Sequence, residues 1–334
     1  MSSYFRPLVQ QGSVLPSDAV QLAEGWGWFV ACERLERGVP ARVVPNAQVP
    51  AEVLDRMRSP RNPLPRLDLS APRIMGILNV TPDSFSDGGL HAAPQAAAAR
   101  AEQMLQEGAE IIDVGGESTR PGATFVPAKT EIERIDPVIR ALRTKGVQAP
   151  ISIDTRKADV ANAACDAGAD LINDVSGFTF DPDLAQTAVQ RDLPVCVMHA
   201  QGDPATMQND PQYGDVLLDV FDWLSDRIDV LEQQGIPRTR IIADPGIGFG
   251  KTDEHNLSIL RRISLFHGLG VAILLGVSRK GFIGRAANVQ NPDARGPGSV
   301  SVALSAIQQG VQIIRAHDVA EHAQAIAMWR ACMA

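Results

Sequence analysis

Eight short apolar runs recur after residue 73, and each is followed by a polar residue and a helix-like stretch. The runs are Ile74–Leu78, Glu110–Val114, Ile151–Asp154, Leu171–Asn173, Pro194–Met198, Ile241–Asp244, Ala272–Leu275 and Gln312–Arg315. They are continuous, not alternating, which is the pattern of parallel strands buried on both faces. Segments with helical spacing lie between them, among them Gln95–Gly108, Thr130–Gly146 and Asp215–Gly235. Eight strand–helix units in about 260 residues predict an α/β fold of the (β/α)8 TIM-barrel type. An open doubly wound sheet is the fold alternative, but it usually has fewer strands and needs a topological switch point.

In a closed barrel the strand C-termini share one rim, and active sites are built there. Asn79, Asp113, Asp154, Asn173, His199, Asp244, Lys280 and Arg315–His317 all sit at or just after a strand end. Strand ends alone explain one or two polar residues. They explain poorly why carboxylates, amides and cations finish nearly every strand.

Residues 1–72 read as an N-terminal extension of unassigned role, and 73–334 as the barrel. The extension has no lysine and carries an apolar patch, Trp26, Trp28, Phe29 and Val30, expected to be buried against the barrel or within a small subdomain. Ser59–Pro72, with prolines at 60, 63, 65 and 72, reads as an extended linker. No catalytic constellation appears in this part.

A net charge of −8 and a pI near 5.3 argue against a nucleic-acid binder that works through a broad basic field, though not against a local phosphate site. No run of about eighteen apolar residues predicts a membrane span, and the N-terminus lacks the apolar core of a signal peptide. Cys32, Cys165, Cys196 and Cys332 are scattered, as expected for reduced thiols in a cytoplasmic protein.

Five loops carry the polar chemistry. The first follows strand one, Asn79-Val80-Thr81-Pro82-Asp83-Ser84-Phe85-Ser86-Asp87-Gly88-Gly89, and suits approach to an anion or a metal-bound anion. The second, Gly115-Gly116-Glu117-Ser118-Thr119-Arg120-Pro121-Gly122, presents a guanidinium that can pair with a carboxylate or phosphate. The third, Asp244-Pro245-Gly246-Ile247-Gly248-Phe249-Gly250-Lys251-Thr252, has the wrong spacing for a P-loop. It reads instead as a carboxylate followed by a glycine loop that lets Phe249 cover a flat ligand. Ser278-Arg279-Lys280-Gly281 and Arg315-Ala316-His317-Asp318 follow strands seven and eight, frequent phosphate-binding positions in this fold. Asp318 is expected to cap the last helix, and His255, His267 and His322 to be surface residues.

Together, Asp154, Asn173 and Asp244 suit a flat heterocycle with several N–H donors, and Lys280 can donate to its carbonyl or ring nitrogen. Asn79, Arg315 and His317 can hold an anion, and Arg120 can meet a second substrate. No Ser-His-Asp or Cys-His order favours covalent catalysis. No His/Cys cluster suggests a tightly held metal, but Mg²⁺ on a diphosphate needs only one or two protein oxygens.

On Met75–Gly89, Ile111–Gly122, Ile151–Thr155, Ile172–Asp174, Val195–His199, Asp244–Lys251, Ser278–Lys280 and Arg315–Asp318, in that order, the chain resembles the dihydropteroate synthases. The resemblance implies condensation of 6-hydroxymethyl-7,8-dihydropterin diphosphate with p-aminobenzoate, giving 7,8-dihydropteroate and pyrophosphate. It implies a pterin pocket of Asp154, Asn173, Asp244 and Lys280 with walls Met198 and Phe249. It also implies an anion site of Asn79, Arg315 and His317, Mg²⁺ bound with help from Asn79 and Asp87, and p-aminobenzoate held by Phe85, Thr119, Arg120 and Pro121. Asp154, Lys280, Arg315 and His317 are the catalytic residues it points to. The implied mechanism is dissociative, the partners are small molecules, the assembly is a homodimer, and sulfonamides compete for the p-aminobenzoate place. Gly281 departs from the Ser of many members, and residues 1–72 match no part of the family core.

A methyltetrahydrofolate–corrinoid methyltransferase would share the barrel and the acidic pocket but needs neither a diphosphate site nor an aryl-amine loop. A non-catalytic barrel that binds a partner through Trp26–Phe29 would not need the rim chemistry.

Overall fold

Strands form where the apolar runs lie, within one residue at every end. In the computed structural model, which describes residues 3–64, 66–81, 89–118, 123–202 and 206–333 (backbone alone for 89–93), they are Arg73–Asn79, Ile111–Gly115, Ile151–Asp154, Leu171–Asp174, Val195–Met198, Ile241–Asp244, Ala272–Gly276 and Ile313–Ala316. Each pairs in parallel with the next, and the last closes on the first through Arg315 opposite Met75, giving a closed eight-stranded barrel. The TIM-barrel expectation holds and the open sheet is excluded. Helices follow the strands, including Gly89–Glu107, Ala128–Thr144 and Val216–Gln233. Among the described residues no helix is long and apolar enough to cross a membrane.

Side chains in a strand alternate between its two faces. Ile112, Val114, Ile153, Ile172 and Val197 pack outward in the large core shared with the helices, while Met75, Ile111, Leu171, Cys196, Ile242, Leu274 and Ile313 fill the lumen. Two residues further along the same faces come Asp113, Asn173, Met198, Asp244, Gly276 and Arg315, so the lumen changes from apolar to polar toward the strand C-termini.

The stretch Ser59–Pro72, expected as an extended linker, is tied to the barrel by its leucines. Leu64, Leu67 and Leu69 are 3%, 9% and 2% exposed and join the lumen cluster, closing the N-terminal end of the barrel as a plug. The Leu67 N–H donates to the Leu64 carbonyl at 3.1 Å, and the leucines that interleave the prolines are drawn into apolar space.

The extension forms a three-stranded antiparallel sheet, Tyr4–Pro7, Ala31–Glu36 and Val39–Pro45, and a short pair, Val20–Gln21 with Trp28–Phe29. Phe5, Leu22, Phe29, Cys32, Val44 and Met57 make its own small core. Trp26 docks on the barrel, donating through Nε1 to the Ile307 carbonyl at 2.9 Å and meeting Trp329 edge-on at 6.1 Å. The expected burial of the tryptophan patch is therefore observed.

His267 and His322 depart from expectation, being 0% and 1% exposed. His267 Nε2 lies 3.0 Å from the Gln309 carbonyl, and His322 Nδ1 lies 2.6 Å from the Asp318 carbonyl. Burial of an imidazole is tolerated once a ring nitrogen has such a partner.

Candidate active site

Polar strand ends meet across several of the ladders, with steps between them where the tilted strands shift: Asn173 is opposite Cys196, two residues short of Met198, and Arg315 is opposite Met75, four short of Asn79. Asn79 is opposite Gly115, Gly115 opposite Asp154, Asp154 opposite Asn173, Met198 opposite Asp244, and Gly276 opposite Arg315. The two glycines leave the centre clear. A Cβ on Gly115 would lie 3.7 Å from Asn79 Oδ1 and 3.8 Å from Asp154 Oδ2, and one on Gly276 would lie 3.9 Å from Asp244 Oδ2.

Arg315 reaches across the mouth. Its Nε donates to Asp113 Oδ2 at 2.6 Å and its Nη2 to Asp154 Oδ2 at 2.8 Å, while Asn173 Nδ2 donates to both Asp113 oxygens at 3.3 and 3.2 Å. The expected site residues Asp154, Asn173 and Arg315 thus form one network, organised by Asp113. That carboxylate has no exposure. Its signal was there: a carboxylate inside the apolar run Ile111-Ile112-Asp113-Val114 is costly unless it is paired. The Arg315 guanidinium, expected to face an anion, holds two carboxylates through Nε and Nη2, and Nη1 has no protein acceptor among the described residues.

Asp154 Oδ1 is buried with no hydrogen-bond partner. Burial above all, and then the Asp113 carboxylate, push its pKa up to about 8 against the pull of Arg315. Folding therefore takes up a proton at Asp154 that the unfolded chain gives up above its ordinary value of 3.8. Stability on this account is full at low pH and falls as pH rises toward 8. Asp154→Asn should raise the melting temperature at pH 8 by about 2 °C or more, with little change at pH 4. Calorimetric melting at the two pH values measures this, and an equal shift at both would contradict it.

Asp244 accepts from the Gly246 N–H at 2.7 Å, and burial raises its pKa. Lys280 donates to the Ile247 carbonyl and lies 4.6 Å from the centre of the Phe249 ring, a cation–π contact. Burial lowers the Lys280 pKa to about 8, opposed by Asp244. Met198, 3% exposed, lies beneath the same loop: a Cβ on Gly246 would come within 3.3 Å of its Cγ. Asp244, Met198, Phe249 and Lys280 therefore form one side of the mouth.

Arg279, just before Lys280, has φ of +59°, a conformation uncommon for residues with a Cβ. It is anchored by its N–H to Ser299 Oγ at 2.9 Å and by its guanidinium to Asp318 and Asp293. Asp318 does precede the last helix, Val319–Met333, but its carboxylate serves this ion pair and not a helix cap. His317 joins the same corner, its Nδ1 3.0 Å from Ser278 Oγ. At Gly281 a Cβ would meet Arg285 Nη1 at 3.0 Å, and Arg285 is itself paired with Asp253. The missing side chain is thus matched by a neighbouring cation.

In the second loop Glu117, 6% exposed, accepts from Lys157 Nζ at 2.8 Å and from the Val126 N–H at 2.9 Å. It joins the start of that loop to its end. Phe85, Asp87, Thr119, Arg120 and Pro121 lie outside the described residues.

The mouth can take a flat polar ring against carboxylates, an amide and a lysine, with an anion near Asn79 and the open side of Arg315. Known proteins are similar to the chain over the barrel. The model of a family described as pterin binding enzyme matches residues 75–317. A Synechocystis dihydropteroate synthase is 46% identical over 261 residues, covering 77% of this chain and 90% of the relative. A Xanthomonas albilineans dihydropteroate synthase solved with 4-aminobenzoic acid superposes with a TM-score of 0.76 at 42% identity, over 80% of this chain and 95% of the other. The same organism's enzyme in complex with 7,8-dihydropteroate gives 0.73 at 40% identity, over 80% and 96% of the two chains.

Proposed function

The chain belongs to the pterin-binding enzyme family and is a dihydropteroate synthase, and from that premise we propose how its rim performs the condensation. The observation that carries the assignment of roles is the cluster of polar strand ends around two glycines, with Asp154 Oδ1 left as an unpaired buried acceptor. The pterin ring lies between Met198 and Phe249. Its N–H groups donate to Asp154 and Asp244, Asn173 supplies an amide, and Lys280 donates to the ring's acceptor side. The diphosphate extends toward Asn79, His317 and the Nη1 side of Arg315.

In the reaction the bond from the pterin methylene carbon to the diphosphate oxygen breaks, and pyrophosphate leaves with the electron pair. The electron-rich ring delocalises the resulting cation, and Asp154 stabilises it once its buried carboxyl has given up its proton, where water does not screen the charge. The aryl amine of p-aminobenzoate then forms the C–N bond and loses a proton. Phe85, Thr119, Arg120 and Pro121 are proposed to hold that substrate, at the place sulfonamides enter.

Mg²⁺, when bound, neutralises charge on the leaving pyrophosphate. The half-buried Asn79 amide makes no hydrogen bond among the described residues and sits at the clear centre over Gly115, a fitting hard-oxygen ligand. Asp87 is proposed as its companion. A homodimer in the cytoplasm completes the proposal.

Purified protein given the pterin diphosphate, p-aminobenzoate and Mg²⁺ should release pyrophosphate and form 7,8-dihydropteroate. Chelation with EDTA should slow it by roughly tenfold or more, reversed by added Mg²⁺. Turnover untouched by EDTA would remove the metal from the proposal, and folded protein without turnover would remove the role assignment.

A further inference from the structure

The glycine loop after strand six is held by an uncommon set of donors. Five successive carbonyls each accept from a side chain: Gly246 and Phe249 from Lys251 Nζ at 2.9 and 3.1 Å, Ile247 from Lys280, Gly248 from Gln208 at 2.6 Å, and Gly250 from the Tyr213 hydroxyl at 2.7 Å. Lys251 is 3% exposed, and its ammonium crosses to His199 Nδ1, at 2.8 Å, beyond the end of strand five. Burial lowers the Lys251 pKa, opposed by Asp244, while three acceptors, one for each N–H of an ammonium, favour the charged form; they are these two carbonyls and this imidazole. The His199 carbonyl lies further off at 3.4 Å. Burial first, and then Lys251, hold the His199 ring neutral, with its pKa lowered to about 2. The backbone N–H of His199 donates to the Asp244 carbonyl at 3.0 Å, and its ring meets Trp223 edge-on at 5.0 Å.

We propose that Lys251 and His199 are a positioning pair that ties the glycine loop to the end of strand five and so sets where Phe249 and Lys280 meet the pterin ring. Neither residue is placed in contact with substrate. The coupling is geometric: one ammonium binds the carbonyl of Phe249 and a side chain of the neighbouring strand, while Lys280 binds both the Phe249 ring and the Ile247 carbonyl. A shift of the loop therefore moves two walls of the pocket together. This inference rests on the pterin reading of the site.

The test compares three substitutions at His199. Asn places an amide oxygen near the position of Nδ1, Gln carries it one methylene further, and Leu offers none. Titration calorimetry with the pterin diphosphate, steady-state kinetics for each substrate and thermal melting are the measurements. His199→Leu should weaken pterin binding by roughly tenfold or more, as expected of a small misplacement, with the KM for p-aminobenzoate within about twofold of wild type. His199→Asn should restore most of the affinity, and His199→Gln, the variant to use if Leu prevents folding, should fall between. Equal pterin affinity in folded Asn and Gln variants, or equal losses for both substrates, would overturn the proposal. Failure of the unsubstituted enzyme to bind the pterin would instead overturn the underlying reading.

Discussion

Arg315→Met lowers kcat/KM for the pterin diphosphate by roughly 10³-fold, the expected scale when a cation facing a developing anion is removed from a dry site. The same change destabilises the protein, because Asp113 and Asp154 lose the guanidinium that bridges them. Removing one partner of a buried ion pair costs about 3–5 kcal/mol. The two effects separate by pH and by a second substitution. With Arg315 gone, the carboxylates share protons more readily, so the variant regains stability as pH falls. Asp113→Asn added to Arg315→Met restores stability but not turnover. Pyrophosphate release and chemical denaturation of the single and double variants measure both. A single variant with wild-type kcat/KM removes Arg315 from the mechanism.

The second large effect is on folding. Gly246 has φ of +67°, and a Cβ there would stand 1.8 Å from the His199 carbonyl oxygen, a backbone atom held by strand five. Gly246→Ala must shift one backbone against the other and also occupy a left-handed conformation. Together these cost about 3 kcal/mol or more. A fall in melting temperature of about 5 °C or more is expected, with pterin affinity reduced in the fraction that folds. Gly38→Ala is the matched comparison. It also has a positive φ, +71°, but nothing lies within 4 Å of its Cβ position. Equal losses for the two would show that conformational strain, and not the close approach, sets the cost at Gly246.

The barrel was legible because its strands are buried on both faces, so each apolar run stands out from the helices beside it. The rim was legible because polar residues that end such runs have few other reasons to be there. What sequence did not reveal is which rim residues bind each other. Arg315 and Asp113 are 202 positions apart, so their pairing follows only from closure of the barrel. Lys251 is a lesson of another kind. Its place after a glycine run invited comparison with phosphate loops, whereas its ammonium turns inward to its own loop and to His199. In 59–72 the prolines suggest a linker, but the leucines between them decide where that stretch lies.

That stretch also bears on how such proteins are assembled in evolution. The family match begins at residue 75, yet the apolar lumen is closed by Leu64, Leu67 and Leu69. The similarity boundary and the boundary of the core are therefore different places. Recombination that exchanged everything before Arg73 would remove the floor of the barrel with it. An exchange upstream of Arg61 would carry off the antiparallel sheet and its small core while leaving the floor attached to the strands it seals. Inheritance of the catalytic rim is then coupled to a short segment at the opposite end of the lumen that takes no part in the chemistry.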